Sequence, residues 1–322
     1  MSLEHDQYFD KSEEELWEEF TQARGIARAD ICIALGNFAY KKGNHMHSLA
    51  LCETARDLYE SEGLVANSGD LVQAYIGIAY SREGLNQPKE AAEAAHEAAK
   101  FLSDTDLSAT AEMFRYESRV WFQAEDYERS IKCSEKAQRQ LDQEVTNHKI
   151  GTDYFNIAIA SEMLGRWLKA VKNFRQARLY FQKDRDPIGV AYCDEELSQC
   201  LIQRNQGLAA EYHAQLALDY ANTALDNNRQ RVSNYYLGMA KKVNGDFKGA
   251  EKCLRDAQYM ITVGGEKDWP LLIKIEKELA QIYRQTDRTE EADEILRRLR
   301  AIEDTFDQNH LPDGRTPKRL PS

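Results

Sequence analysis

The chain has 322 residues, of which 42% are hydrophobic and 30% charged, and its formal net charge is −12. This acidic balance argues against nucleic-acid binding, which relies on clustered Lys and Arg side chains at phosphates. No apolar run is long enough to span a bilayer and no basic-then-apolar leader opens the sequence, so we expect a cytoplasmic protein without a membrane partner.

The N-terminal segment, residues 1–24, is acidic and contains one clear helix signal. Ser12 is followed three residues later by Glu15, the spacing of a capping box, and the helix it opens carries Leu16, Trp17 and Phe20 on adjoining faces. We expect this helix to cover the open end of the structure that follows. An alternative is that it docks on a partner or folds back into a groove.

From residue 25 onward the sequence repeats one unit, best seen near Gly238. This glycine lies inside a predicted helix, Asn244-Gly245-Asp246 supplies a turn, and Ala250 and Ala257 follow two helical turns apart on the next helix. Small residues at these points let helices pack closely. Equivalent small residues recur every 40 to 42 positions, at Gly36, Gly77, Ser118, Ala158, Ser198, Gly238 and Ala280.

The repeat predicts seven helix pairs and an all-α fold, since no useful apolar alternation suggests strands. The predicted pairs span 25–60, 70–102, 107–141, 152–181, 189–224, 230–262 and 271–306. Residues 307–322 contain three prolines and the basic Arg315, Lys318 and Arg319, and we expect a disordered tail there. A short docking motif in the tail is the alternative.

Cysteine and histidine spacing indicates no metal site and no cofactor. The six cysteines lack any CxxC spacing, which favours buried thiols in a reducing compartment. His45 and His47 form an HxH pair without a third ligand. No phosphate-binding glycine loop, HExxH or GxSxG motif is present, so we expect no catalytic residue and a protein that is not an enzyme.

Over about Gly25 to Phe306 the chain resembles tetratricopeptide-repeat proteins. The common unit has roughly 34 residues, so the longer period here is similar to the branch that includes kinesin light chains and bacterial peptide-sensing regulators. The resemblance implies a right-handed α-solenoid of about seven helix–turn–helix repeats. It also implies that the first helix of each repeat lines a concave groove.

Carried over by position, the resemblance assigns a peptide- or protein-binding groove to fifteen side chains. They are Asn37, Tyr40, Lys41, Tyr75, Arg82, Arg115, Tyr116, Arg119, Phe155, Asn156, Ile159, Tyr192, Gln199, Tyr235 and Met239. Aromatic residues and Arg are the types enriched at binding hot spots, although about half of the set should pack between repeats. Because Arg82, Arg115 and Arg119 put positive charge in an acidic protein, we hypothesise an acidic ligand at the second and third repeats.

Two functions remain open from the sequence. The first is a non-enzymatic scaffold or adaptor that binds a peptide or protein segment in the groove. The second is a peptide-responsive regulator resembling bacterial pheromone receptors but without a DNA-binding domain, since only about 24 residues precede the repeats. The carboxylate clamp of tetratricopeptide co-chaperones is not expected, because only Asn37 matches it while Ile33, Tyr75, Glu112 and Tyr116 hold the neighbouring positions.

Overall fold

The computed structural model describes residues 8, 11–63, 69–102, 106–140, 146–263 and 268–309, with the side chains of 301 and 304–309 left out. Within these residues the protein forms fifteen helices and no strand. The chain divides into two compact units, Met1–Thr146 and Asn147–Ser322. The all-α fold of paired helices that the sequence predicts is confirmed.

From residue 11 onward, the described part of unit 1 contains one unpaired helix followed by three helix pairs. The single helix α1 spans Glu13–Gln22. The pairs are α2 (Gly25–Lys41) with α3 (His45–Ser61), α4 (Gly69–Gly84) with α5 (Pro88–Leu102), and α6 (Leu107–Gln123) with α7 (Tyr127–Arg139). Each helix packs against the next in the chain, and α2 also contacts α4.

Unit 2 contains four helix pairs. They are α8 (Asn147–Met163) with α9 (Trp167–Lys183), α10 (Pro187–Gln203) with α11 (Gly207–Thr223), α12 (Asn227–Val243) with α13 (Phe247–Val263), and α14 (Trp269–Gln285) with α15 (Thr289–Asn309). Here too the first helices of neighbouring pairs meet, α10 with α12 and α12 with α14. None of the helices in the described ranges is long and apolar enough to cross a bilayer.

Three predicted boundaries differ from the structure by three residues or more, among them the start of α12, which is Asn227 rather than Gln230. Helix α8 begins at Asn147 rather than Thr152, because Gly151 continues the helix instead of opening it. A Cβ at Gly151 would lie 3.0 Å from the ring of Phe181, so the glycine makes room for that buried ring. Helix α15 continues to Asn309, three residues into the predicted tail. The rest of the tail, residues 310–322, lies outside the described part of the chain.

Helix α1 packs against α2 at the start of unit 1. Its capping box is confirmed: Glu15 N–H bonds to Ser12 Oγ, and the Ser12 N–H donates to the Glu15 carboxylate at 2.8 Å. Leu16 is fully buried with Ile31 and Leu35 of α2, and Trp17 packs against the same cluster. The apolar side of α1 is therefore used inside unit 1.

The turn between the two helices of each pair has a constant backbone feature. One residue adopts a left-handed conformation, with φ between +55° and +81°, in all seven described turns. These residues are Gly43, Asn86, Glu125, Gly165, Asn205, Gly245 and Asp287. They repeat at intervals of 39 to 43 residues, so the turn keeps its geometry even where no glycine is present.

Small side chains hold the helices close, as the repeat pattern predicts. A Cβ placed at Gly238 would lie 2.8 Å from Leu254 Cγ, and one at Gly77 would lie 2.5 Å from Cys52 Sγ. The prediction of buried free thiols is confirmed for all six cysteines. Burial raises the pKa of Cys32 to about 11 and that of Cys52 to about 12, which keeps both protonated and unreactive.

Candidate functional site

A row of three tyrosines crosses the first helices of unit 1. The ring centroids of Tyr40 on α2 and Tyr80 on α4 are 6.2 Å apart, and those of Tyr80 and Tyr116 on α6 meet edge to face at 4.9 Å. Tyr40 and Tyr80 are 39% and 36% exposed, whereas Tyr116 is buried. We call this surface the tyrosine row. Two of its rings are exposed to solvent, and the third, Tyr116, is buried against Tyr80.

Glu83 on α4 joins the tyrosine row to the third repeat. Its carboxylate accepts hydrogen bonds from the Tyr116 hydroxyl at 2.9 Å, from Gln123 Nε2 at 3.3 Å and from both terminal nitrogens of Arg119. The Arg119 guanidinium also lies 4.9 Å from the centre of the Tyr116 ring. Partial burial raises the pKa of Glu83, but these hydrogen bonds and the Arg119 charge outweigh it and leave the pKa below its usual value.

The other two arginines of the predicted groove are also paired inside unit 1. Arg82 donates to Glu53 and to Gln87, both at 2.8 Å, and Arg115 lies 3.1 Å from Glu112 on its own helix. All three groove arginines therefore have internal carboxylate partners. The hypothesis of an acidic ligand stays a prediction, but its electrostatic basis is weaker than the sequence alone suggests.

The remaining predicted residues of unit 1 are placed differently from one another. Asn37 and Lys41 are exposed on α2, beside Tyr40. Tyr75 is half-buried: it stacks on Phe101 at 5.7 Å and donates to Glu60 at 3.1 Å. Its ring packs against the second helices, so it adds little to the exposed tyrosine row.

In unit 2 a polar chain links three successive first helices. Gln199 on α10 donates to Glu162 on α8 and accepts from the Tyr236 hydroxyl on α12. Both the nitrogen and the oxygen of the Gln199 amide are therefore bonded to neighbouring repeats, and the side chain is half-buried. Gln199 therefore has a positioning role inside the unit.

The other predicted residues of unit 2 range from core to surface. Phe155 and Ile159 on α8 are buried, with Phe155 packed edge-on against Phe174 at 5.3 Å. Asn156, Tyr235 and Met239 are half-buried. Burial raises the pKa of Tyr235 to about 12. Tyr192, in contrast, is 41% exposed.

A cavity of about 600 Å³ opens among α8, the end of α9 and the start of α10, and Phe155, Phe181 and Tyr192 form part of its wall. Polar groups also border it. His148 Nδ1 lies 3.3 Å from Asp186 Oδ2 and 3.8 Å from Asp184 Oδ2. We call this the α8–α10 cavity. Two predicted groove residues, Phe155 and Tyr192, line this cavity together.

Outside the cavity lining, Tyr192 also contacts a buried ion pair. The Arg229 guanidinium lies 3.9 Å from the Tyr192 ring centre and 3.2 Å from the Glu195 carboxylate, which also accepts from Ser233 at 3.3 Å. Burial raises the pKa of Glu195 to about 7, while Arg229 opposes the rise.

Sequence reasoning missed Tyr80, His148, Asp184 and Asp186. Tyr80 has a recognisable signal, because it lies three residues after the small marker Gly77 much as Tyr40 lies four after Gly36. Asp186 is recognisable as a helix cap before Pro187, and its Oδ1 accepts from the Gly189 amide at 2.9 Å. Nothing in the sequence brings His148 next to Asp186. No described group of three or more His, Cys, Asp or Glu side chains is arranged to hold a metal ion.

Comparison with known proteins adds fold information. No protein-family model matches the sequence, and no curated protein matches it. The solved structures that are similar in fold include the three described next. A signal-transduction ATPase with a tetratricopeptide repeat sensor from Pyrococcus horikoshii is 14% identical with a TM-score of 0.66, and the match covers 92% of this chain and 44% of that one.

Two further similar structures are Rap proteins. RapI in its apo form is 12% identical with a TM-score of 0.63, covering 86% of this chain and 77% of that one. A Rap protein complexed with competence and sporulation factor is 15% identical with a TM-score of 0.54, covering 92% and 79%. Identities this low establish the fold alone. The chain has a tetratricopeptide-type fold, as the repeat pattern predicts.

Proposed function

We propose that this protein is a non-enzymatic interaction protein that binds a peptide or protein segment on the face formed by its first helices. The observation that carries the proposal is the tyrosine row, in which Tyr40 and Tyr80 keep more than a third of their surface exposed although their tilted rings are neighbours at 6.2 Å. Tyrosine provides a large contact area at a low entropic cost. Interface hot spots are enriched in it.

The paired charges around the row support the same function. Arg82 and Arg119 are paired with Glu53 and Glu83, so neither arginine adds an uncompensated charge to the surface, which suits contacts through rings and amides. Exposed Asn37 and Gln123 lie beside the row on α2 and α6 and can hydrogen-bond to the backbone of an extended peptide. We therefore keep Tyr40, Tyr80, Asn37, Lys41 and Gln123 in the proposed surface of unit 1.

Selection of peptides from a random library against the full-length protein tests the proposal. Peptides that bind the native protein should lose about 5- to 30-fold in affinity for a Tyr40→Ala/Tyr80→Ala variant, the usual effect of removing hot-spot rings. The matched control is Tyr212→Ala/Tyr259→Ala. These tyrosines on second helices α11 and α13 are 63% and 65% exposed but lie off the proposed surface. Equal losses in both variants would contradict the proposal.

A second candidate is a peptide-responsive regulator, supported by the fold similarity to a Rap protein complexed with competence and sporulation factor. Small-angle scattering separates the two candidates once a binding peptide is in hand. A regulator should contract when the peptide binds, whereas an adaptor should keep its radius of gyration. Unchanged scattering at saturating peptide would exclude the regulator.

A further inference from the structure

The α8–α10 cavity has the size and lining of a ligand site. Its volume of about 600 Å³ lies within the range of 300–1,000 Å³ typical of small-ligand pockets. One part of its lining is aromatic, with Phe155, Phe181 and Tyr192, and another part is acidic, with Asp184 and Asp186. Because Phe155 is almost fully buried while Tyr192 is 41% exposed, Tyr192 offers most of the accessible ring surface.

The charges at the cavity leave a place for a cation. Asp184 and Asp186 approach the same nitrogen of His148, and one imidazole carries at most one positive charge. This group therefore keeps negative charge whether or not His148 is protonated. Arg185 also borders the cavity and is exposed, as Asp184 is, so the lining carries two carboxylates against one guanidinium when His148 is neutral. One oxygen of Asp186 is occupied by the Gly189 amide, which fixes the carboxylate in place.

We propose that the α8–α10 cavity binds the guanidinium group of an arginine side chain from the partner peptide. This inference rests on the proposed function and specifies the chemistry of the partner at unit 2. A planar guanidinium forms paired hydrogen bonds to carboxylates and stacks on aromatic rings, whereas the ammonium group of lysine does only part of this. Tyr192 already accepts such a group, because Arg229 stacks on its ring at 3.9 Å.

The test uses the full-length protein and the probe peptide acetyl-Gly-Ala-Arg-Ala-Gly-amide. Matched probes carry citrulline, Lys or Glu in place of Arg, and citrulline keeps the shape of arginine without its charge. NMR titration should shift the amide signals of Ile188, Gly189 and Tyr192. Because a charge-assisted pair contributes about 1.4 kcal/mol or more, the arginine probe should bind at least about tenfold more tightly than the citrulline probe.

A double variant, Asp184→Asn/Asp186→Asn, removes both charges but keeps the cap of α10, because Asn caps helices as well as Asp. It should weaken binding of the arginine probe about tenfold. The control is Asp246→Asn, since Asp246 bonds to the Gly249 amide at the same 2.9 Å but lies outside the cavity. Binding by this control should equal that of the native protein.

Equal binding of the arginine and citrulline probes, or tighter binding of the glutamate probe, would overturn the assignment. So would shifts confined to other residues, or a double variant that binds like the native protein. The two proposals fail separately. If library peptides depend on Tyr40 and Tyr80 but not on Asp184 and Asp186, the proposed function stands and the cavity assignment falls. If the arginine probe binds while no library peptide depends on the tyrosine row, the cavity assignment stands and the proposed function falls.

Discussion

Replacing Glu83 by glutamine should weaken unit 1 more than any other single charge neutralisation near the tyrosine row. Glu83 accepts from Tyr116, Arg119 and Gln123, all of which lie on the next repeat. Glutamine keeps the shape and one carbonyl acceptor but removes the charge. Hydrogen bonds to a charged group contribute about 1.5–3 kcal/mol. We reduce this to about 1–2 kcal/mol because the Arg119 side chain is 38% exposed and therefore screened by solvent.

The lowered pKa of Glu83 determines how the stability loss in Glu83→Gln changes with pH. Burial works against ionisation of Glu83, but the Arg119, Tyr116 and Gln123 contacts leave its folded pKa below the unfolded value of 4.5. A carboxyl with a lowered folded pKa adds stability above the unfolded pKa, and that stability is lost as the pH falls through the folded pKa. The difference between the native protein and Glu83→Gln should therefore be full at pH 7 and should shrink below pH 4.5.

Urea denaturation followed by circular dichroism at a series of pH values measures both quantities. The control is Glu112→Gln, because Glu112 is 42% exposed and pairs with Arg115 only three residues away on the same helix. It should cost no more than about 0.5 kcal/mol. Our reasoning would be refuted if Glu83→Gln costs no more than Glu112→Gln, or if its effect does not shrink in acid.

Three further predictions concern packing, turns and buried charge. Gly238→Ala should lower the free energy of unfolding by about 1 kcal/mol, because overpacking against Leu254 Cγ at 2.8 Å exceeds the gain in helix propensity; a higher urea midpoint would contradict this. Leu225→Gly should raise the thermal midpoint, because Leu225 has φ +54° and is 81% exposed, so relief of backbone strain worth about 1 kcal/mol costs no packing. Glu195→Gln should flatten the pH dependence of stability: burial raises the folded pKa of Glu195 to about 7, so ionisation opposes folding and native stability falls as the pH rises from about 4.5 to 7. An unchanged slope between pH 5 and 7 would argue against a raised pKa.

The period of the repeat could be predicted because it depends on local requirements. Gly238 and Ala250 must be small where helices touch, and Gly245 must take a positive φ, so each position leaves a mark on the sequence. Glu125 takes the same left-handed conformation although it is not a glycine. The conformation of this turn is determined by the packing of the two helices that it connects, and the local sequence does not indicate that packing.

Most partners of the arginines could not be predicted, because they lie in neighbouring repeats. Arg115 is an exception, since it pairs with Glu112 on its own helix. Glu83 and Arg119 are 36 residues apart, and Glu195 and Arg229 are 34 apart. In a charged helical sequence each arginine has several carboxylates at roughly one repeat distance, and only the packed structure selects one. The hypothesis of an acidic ligand was based on the arginines alone, because the sequence does not show which carboxylates pair with them.

Internal pairing of the arginines changes which surface features can discriminate between partners. A positive charge already bonded to Glu83 must break that bond before it serves a ligand, and the loss offsets much of the new attraction. The exposed rings of Tyr40 and Tyr80 have no such competing requirement. On unit 2, Arg229 already lies over the Tyr192 ring, and His148 contacts Asp184 and Asp186, whose two charges exceed the one that an imidazole can carry. Selectivity in this fold should therefore arise from aromatic contacts on unit 1 and from cation recognition on unit 2, so a peptide with an arginine should be preferred over an equally aromatic peptide with an acid.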